Sequence, residues 1–183
     1  MEKFVQQFST EAVKSGATVS GPYDLAGLME YLRKLIASKK PAKIAACRPA
    51  DRPDWLSPEL IKNLATALPD QTISLITDPQ TAETDFDIGI TGCSFGIAQT
   101  GTIGLESSNS WARKVSALPL IHIAILNQSK ILETWSEALE LVNRTPSNYY
   151  ALITGPSRTA DIERVLTLGV HGPEELHIIL TNE

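Results

Sequence analysis

The sequence predicts an α/β fold in which helices cover a largely parallel sheet, and three observations carry that expectation. Short apolar runs of strand length recur along the chain: Lys43–Cys47, Thr72–Ile76, Phe86–Ile90, Leu120–Leu126, Tyr149–Ile153 and Leu176–Leu180. Helical patterns separate several of them, and strands alternating with helices are the signature of layered α/β proteins. Length and composition agree, because 183 residues with 43% hydrophobic and 20% charged side chains describe one ordinary globular domain with a substantial core.

In chain order, Met1–Lys14 reads as a helix with Phe4, Val5, Phe8 and Ala12 on one face. Ser20-Gly21-Pro22 ends that lead segment. Asp24 is placed to cap a second helix, in which Leu25, Leu28, Met29, Leu32, Leu35 and Ile36 form a continuous apolar stripe. Residues 1–40 are thus expected to be a helical lead and 41–183 the α/β core of a single domain. After the Lys43–Cys47 strand, Arg48–Trp55 is a loop rich in Pro and charge, readable as a connection or as a ligand contact. Ser57-Pro58 starts a helix running to about Leu68, with Pro at its first helical position.

Thr91–Glu106 is rich in glycine, yet it matches neither GxGxxG nor a GK[ST] phosphate loop. Its alternating small and polar residues suggest a tight backbone path with Gln99, Thr100 and Thr102 facing a cleft; close packing of glycines between layers would explain the same pattern. Arg113–Pro119 reads as a loop leading into a long strand. There His122 shares a face with Leu120 and Ala124, as a hydrogen-bonded core residue or as a base. Thr134–Asn143 is a further helix.

The stretch Tyr149–Leu180 reads as strand, helix, strand. Gly155-Pro156 breaks the first strand, Ser157 or Thr159 caps a helix, Asp161 and Glu163 put negative charge on its first turn, and Gly169 stops it. Helix N–H groups and the Arg158 guanidinium would then converge as an anion cradle, or Arg158 would be a solvated turn residue. On this topology Arg158 and His171 stand at opposite ends of a helix. Arg158 would line a ligand cleft at the carboxyl edge of the sheet, with His171 holding the return turn or meeting a neighbouring subunit.

Several classes are disfavoured. A net charge of −5 without a Lys/Arg cluster argues against a nucleic-acid surface. No apolar run spans a bilayer, and Met1-Glu2-Lys3-Phe4 begins no signal peptide, so a cytoplasmic location is expected and no membrane partner. Cys47 and Cys93 form no CxxC pair, and with three scattered histidines no metal-ligand set is recognisable.

Three pieces stand in order: Gln99-Thr100-Gly101-Thr102, then Arg113 through Leu118-Pro119 to His122, then Gly155-Pro156-Ser157-Arg158-Thr159-Ala160-Asp161-Ile162 followed by His171-Gly172-Pro173. Together they resemble the lactate-utilisation protein C family (LutC/YkgG), whose members consist of a LUD domain. The resemblance is strong from about Asp85 onward. It implies a three-layer α/β/α sandwich with a mostly parallel (mixed) sheet, similar to the NagB/RpiA/CoA-transferase-like fold. It also implies a cytoplasmic, cluster-free subunit of a bacterial system that oxidises L-lactate to pyruvate beside iron–sulfur partner proteins.

No cofactor is expected in this chain itself, whose cysteines are too few for a cluster. The candidate ligand-binding residues on this resemblance are Gln99, Thr100, Gly101, Thr102, Arg113, Gly155, Pro156, Ser157, Arg158 and Asp161, holding a small carboxylate or other anionic ligand. His122 and His171 are structural or interface candidates. Self-association into a homo-oligomer is left open. Gln99 stands where the family commonly has a carboxylate, and an amide cannot act as a general base. The alternative function is a free-standing transferase or isomerase acting on a phosphorylated or CoA-linked small molecule, as in proteins of the related folds.

Overall fold

A six-stranded sheet runs in the order β1 (Thr18–Tyr23), β12 (Glu175–Thr181), β7 (Ile121–Asn127), β4 (Ile88–Gly92), β2 (Lys43–Cys47) and β3 (Ser74–Ile76). All its pairings are parallel. The computed structural model describes residues 2–39, 41, 43–47, 74–76, 84–145, 147, 149–160, 166–169 and 171–182, of which 74–76, 159–160 and 166–168 are described as backbone. The Arg48–Trp55 loop, the Ser57–Leu68 helix and Asp161–Val165 lie outside the described residues.

The strand alternation divides the sheet into two apolar faces. Ile88, Ile90, Ile123, Ile125 and Ile179 pack against Leu28, Leu32 and Ile36 of helix α2 (Leu25–Lys39). The N-terminus of that helix is satisfied as the sequence suggests, with Asp24 Oδ1 accepting from the Gly27 amide at 2.8 Å. On the other face Ala124, Leu126, Ile178 and Leu180 meet Phe8 and Ala12 of helix α1 (Glu2–Lys14). Farther along that face, Ala45 and Cys47 pack on Trp111, Ala112 and Val115 of helix α3 (Ser110–Ala117). Because β7 and β12 are covered on both faces, both read in sequence as nearly unbroken apolar runs.

Among the described residues, antiparallel pairing is confined to the smaller sheets. β5 (Phe95–Ile97) and β6 (Thr102–Glu106) form a hairpin, flanked by β8 (Ile131–Leu132) and β9 (Tyr150–Ile153) in the order β8-β5-β6-β9. Ile103 and Leu105 of this sheet join the α1 core, while Phe95 and Ile97 pack on Ala138 of helix α4 (Trp135–Arg144). Thr134 and Glu137 close a capping box at the start of α4. The expected α/β layering is therefore present, with a second sheet inserted on the α1 side.

Three expectations are corrected. The Ser20-Gly21-Pro22 break is part of strand β1, which pairs with β12 and forms an edge of the main sheet. An edge strand tolerates Gly and Pro because one side of its backbone needs no ladder partner. Arg113–Ala117 is helical rather than loop. Asn109 Oδ1 accepts from the Trp111 amide at 2.9 Å, and burial of Trp111, Ala112 and Val115 on one face supplies the rest.

The helix expected after Ser157 is replaced, at both described ends, by a β-hairpin. β10 (Arg158–Ala160) pairs antiparallel with β11 (Leu166–Leu168). A segment this short makes a marginal helix on its own. The positive φ of Gly169, +77°, ends a hairpin arm as readily as a helix.

Candidate functional site

A cavity of about 520 Å³ opens beside the amino-terminal ends of β7 and β12. Arg113, Ser116 and Ala117 of α3 contribute one side, and His122 and Leu176, near the starts of the two strands, line it as well. Strand β9, the Thr154–Arg158 turn and His171–Pro173 complete it. The sequence-based topology puts the cleft at the carboxyl edge of the sheet, with Arg158 and His171 apart. The hairpin reverses that: Arg158 stands opposite Leu168, so the chain doubles back and delivers His171 to the same cavity. Backbone bonds from the Ser157 amide to Pro173 O (2.8 Å) and from the Gly169 amide to Ser157 O (3.2 Å) fasten the two loops together.

Among the described residues, the charged groups lining this cavity are the cations Arg113 and Arg158. The Arg113 guanidinium donates to the carbonyls of Ser107 and Ser108 and lies over the Tyr149 ring, 5.2 Å from its centroid. Arg158 is exposed and reaches back over the α1–β1 connection, where its Nη2 occupies the space a side chain at Gly16 would need. Buried Ser116 spends its hydroxyl on Arg113 O at 3.2 Å. His122 is fully buried, and its Nε2 lies 2.8 Å from Thr91 Oγ1. Burial pushes its pKa down to about 4, so the imidazole is neutral near pH 7. Its Nδ1 has no hydrogen-bond partner among the described residues.

A family model described as the LUD domain matches residues 54–181. The chain belongs to the LUD domain family. It is 37% identical over 103 residues to lactate utilization protein C of Bacillus subtilis, covering 53% of this chain and 43% of that protein. It is also 40% identical over 100 residues to an uncharacterized protein of Neisseria meningitidis serogroup B, covering 52% and 42%. Lactate utilization protein B of Shouchella clausii is 34% identical over 104 residues, covering 52% and 20%. The alignments therefore span less than half the length of each of these relatives. The crystal structure of a DUF162 family protein from Deinococcus radiodurans matches with a TM-score of 0.66 at 22% identity, over 98% of this chain and 97% of that one. At that identity the match shows a shared fold.

Within this LUD domain, the cavity brings together Arg113, Gly155, Pro156, Ser157 and Arg158 from the expected set, and adds His122 and His171. Gln99, Thr100, Gly101 and Thr102 are not in its lining. Gln99 is exposed, and Gly101 has φ +65°, with a Cβ there falling 2.1 Å from the Ala12 amide nitrogen of α1. Thr100 and Thr102 instead buttress the site from behind. Their hydroxyls are 2.7 Å apart, and Thr102 Oγ1 is 2.7 Å from Thr154 Oγ1 on the cavity rim. Gly155, at φ +76°, is pressed against the α1–β1 connection, where an added Cβ would sit 2.2 Å from Ser15 O. Asp161 lies outside the described residues.

Sequence reasoning passed over Ser116, Tyr149 and Leu176 as cavity residues. Only the spacing Arg113…Ser116, one helical turn, could have signalled Ser116, and that required α3 to be recognised first.

Proposed function

We propose that this chain serves in lactate utilisation as a cluster-free subunit that holds a small carboxylate, L-lactate or pyruvate, in the cavity between α3 and the Thr154–Arg158 turn. The names of the relatives supply the context, and one observation supports the chemistry: two guanidinium groups and a neutral imidazole border a single cavity. Guanidinium forks match a carboxylate by paired hydrogen bonds; both arginines are exposed, and Arg158 is the more available because Arg113 is engaged by backbone carbonyls. Arg113, already committed to the Ser107 and Ser108 carbonyls, supplies positive potential and shape. Electrons removed from lactate would pass to iron–sulfur partner proteins of the system, which the resemblance to lactate-utilisation protein C implies.

Calorimetric titration with L-lactate and pyruvate tests the binding step. Arg158→Ala is expected to weaken both by tenfold or more while changing unfolding stability by about 0.5 kcal/mol or less, the scale of a surface substitution. Unchanged affinity in that variant, or no binding to the wild-type chain, would overturn the carboxylate reading. Reconstitution with the iron–sulfur partners, followed by pyruvate formation from L-lactate, tests the role in the system.

A further inference from the structure

The cavity wall contains a buried polar atom that has no hydrogen-bond partner among the described residues. His122 is near the start of β7, between Gly89 of β4 and Leu176 of β12 in the parallel register. Neither neighbour's side chain offers a hydrogen bond. Ser116, which also lines the cavity, donates its hydroxyl to Arg113 O and makes no bond to Nδ1. Nε2 is engaged by Thr91, which leaves Nδ1 alone. A buried donor or acceptor without a partner costs about 1–3 kcal/mol, so folded proteins keep few of them and those few call for an explanation.

We propose that His122 Nδ1 is a ligand-contacting group that hydrogen-bonds the oxygen adjacent to the carboxylate, so that the cavity selects 2-oxo and 2-hydroxy acids over plain carboxylates. This rests on the carboxylate reading above and deepens it. The arginines supply the charge that holds the carboxylate, whereas the neutral imidazole recognises a neutral oxygen. Thr91 makes that recognition adaptable. Its hydroxyl either donates to Nε2, leaving a proton on Nδ1, or accepts from Nε2–H, leaving Nδ1 with a lone pair. The first tautomer donates to the carbonyl of a 2-oxo acid; the second accepts from the hydroxyl of a 2-hydroxy acid. The same pocket thus accommodates both oxidation states of the ligand without adding a charged group.

The test compares pyruvate, L-lactate and propionate on the wild-type chain and on His122→Phe, with imidazole nitrogen shifts of the wild type followed by NMR. The wild type is expected to bind pyruvate and L-lactate at least tenfold more tightly than propionate. His122→Phe should erase that preference while leaving propionate affinity within about twofold. The His122 Nδ1 resonance should move on adding pyruvate and stay in place with propionate, a readout that holds even where the Phe variant folds poorly.

Equal affinity of the wild type for all three acids, or a preference that survives His122→Phe, would overturn the role of His122. If Arg158→Ala still abolished binding in that case, the carboxylate reading would stand. Absence of binding by all three would overturn both.

Discussion

One wall of the cavity is drawn from α3, β7 and β12, and Trp111, Val115, Ser116, His122 and Leu176 on those elements are all buried. The opposite wall is the Thr154–Arg158 turn, in which Thr154 and Arg158 are exposed and Pro156 and Ser157 half-buried. The first wall is held by core packing: Trp111 meets Phe86 edge-on at 5.4 Å and donates Nε1–H to Ala46 O at 3.1 Å. The second is held by its backbone, through Gly155 against Ser15 and Ser157 against Pro173. A wall fixed by its side chains can change chemistry only at the expense of stability. One fixed by its backbone leaves side chains such as Arg158 available for a ligand.

That contrast is open to direct attack. Trp111→Ala should be the most damaging change, removing a buried aromatic together with its hydrogen bond. A loss of about 3–5 kcal/mol in urea unfolding is expected. A loss below about 1 kcal/mol would show that the packed wall does not depend on this residue.

Acid is expected to act next, through His122. Its pKa is about 4 in the folded chain, against an ordinary value of 6.5, so between those values the unfolded state binds the extra proton. Stability should therefore fall as pH drops from 7 toward 4.5, by on the order of 2 kcal/mol, and this contribution should level off below the folded value. Melting curves of the wild type and of His122→Gln across that range check it, since the variant should lack this component of the slope.

Gln99→Glu should do least. An exposed residue outside the cavity lining should leave carboxylate affinity within about twofold and stability within about 0.5 kcal/mol. A tenfold loss would show that the Thr100 loop reaches the ligand after all.

Elements that carry their own periodicity were legible. The stripe of Leu28, Leu32 and Ile36 marks α2, and the apolar runs of β7 and β12 mark buried strands. Elements defined by a partner were not. β1 looks like a break because Gly21-Pro22 is tolerable only once β12 lies beside it. The arms of the β10–β11 hairpin are three residues each, too short for alternation to register, and the caps of an imagined helix filled the gap.

The site was legible to the same extent. Arg158 and the Gly155-Pro156-Ser157 turn could be picked out by residue type, whereas Arg113 entered through the family resemblance. That His171 shares their cavity depended on a chain reversal that no local pattern reports.

Gly89 lies outside the cavity, yet it helps determine how wide the cavity is. A single methyl there would fall 1.9 Å from Val115 O and 2.8 Å from Pro119 Cγ, where the end of α3 and the segment after it press onto the sheet. To admit it, the helix would have to lift, carrying Arg113 and Ser116 outward with it. The bore of the cavity is thus gauged from beneath by an absent side chain, in the manner of a shim left out. A variant library confined to the lining would never sample the position that sets its aperture.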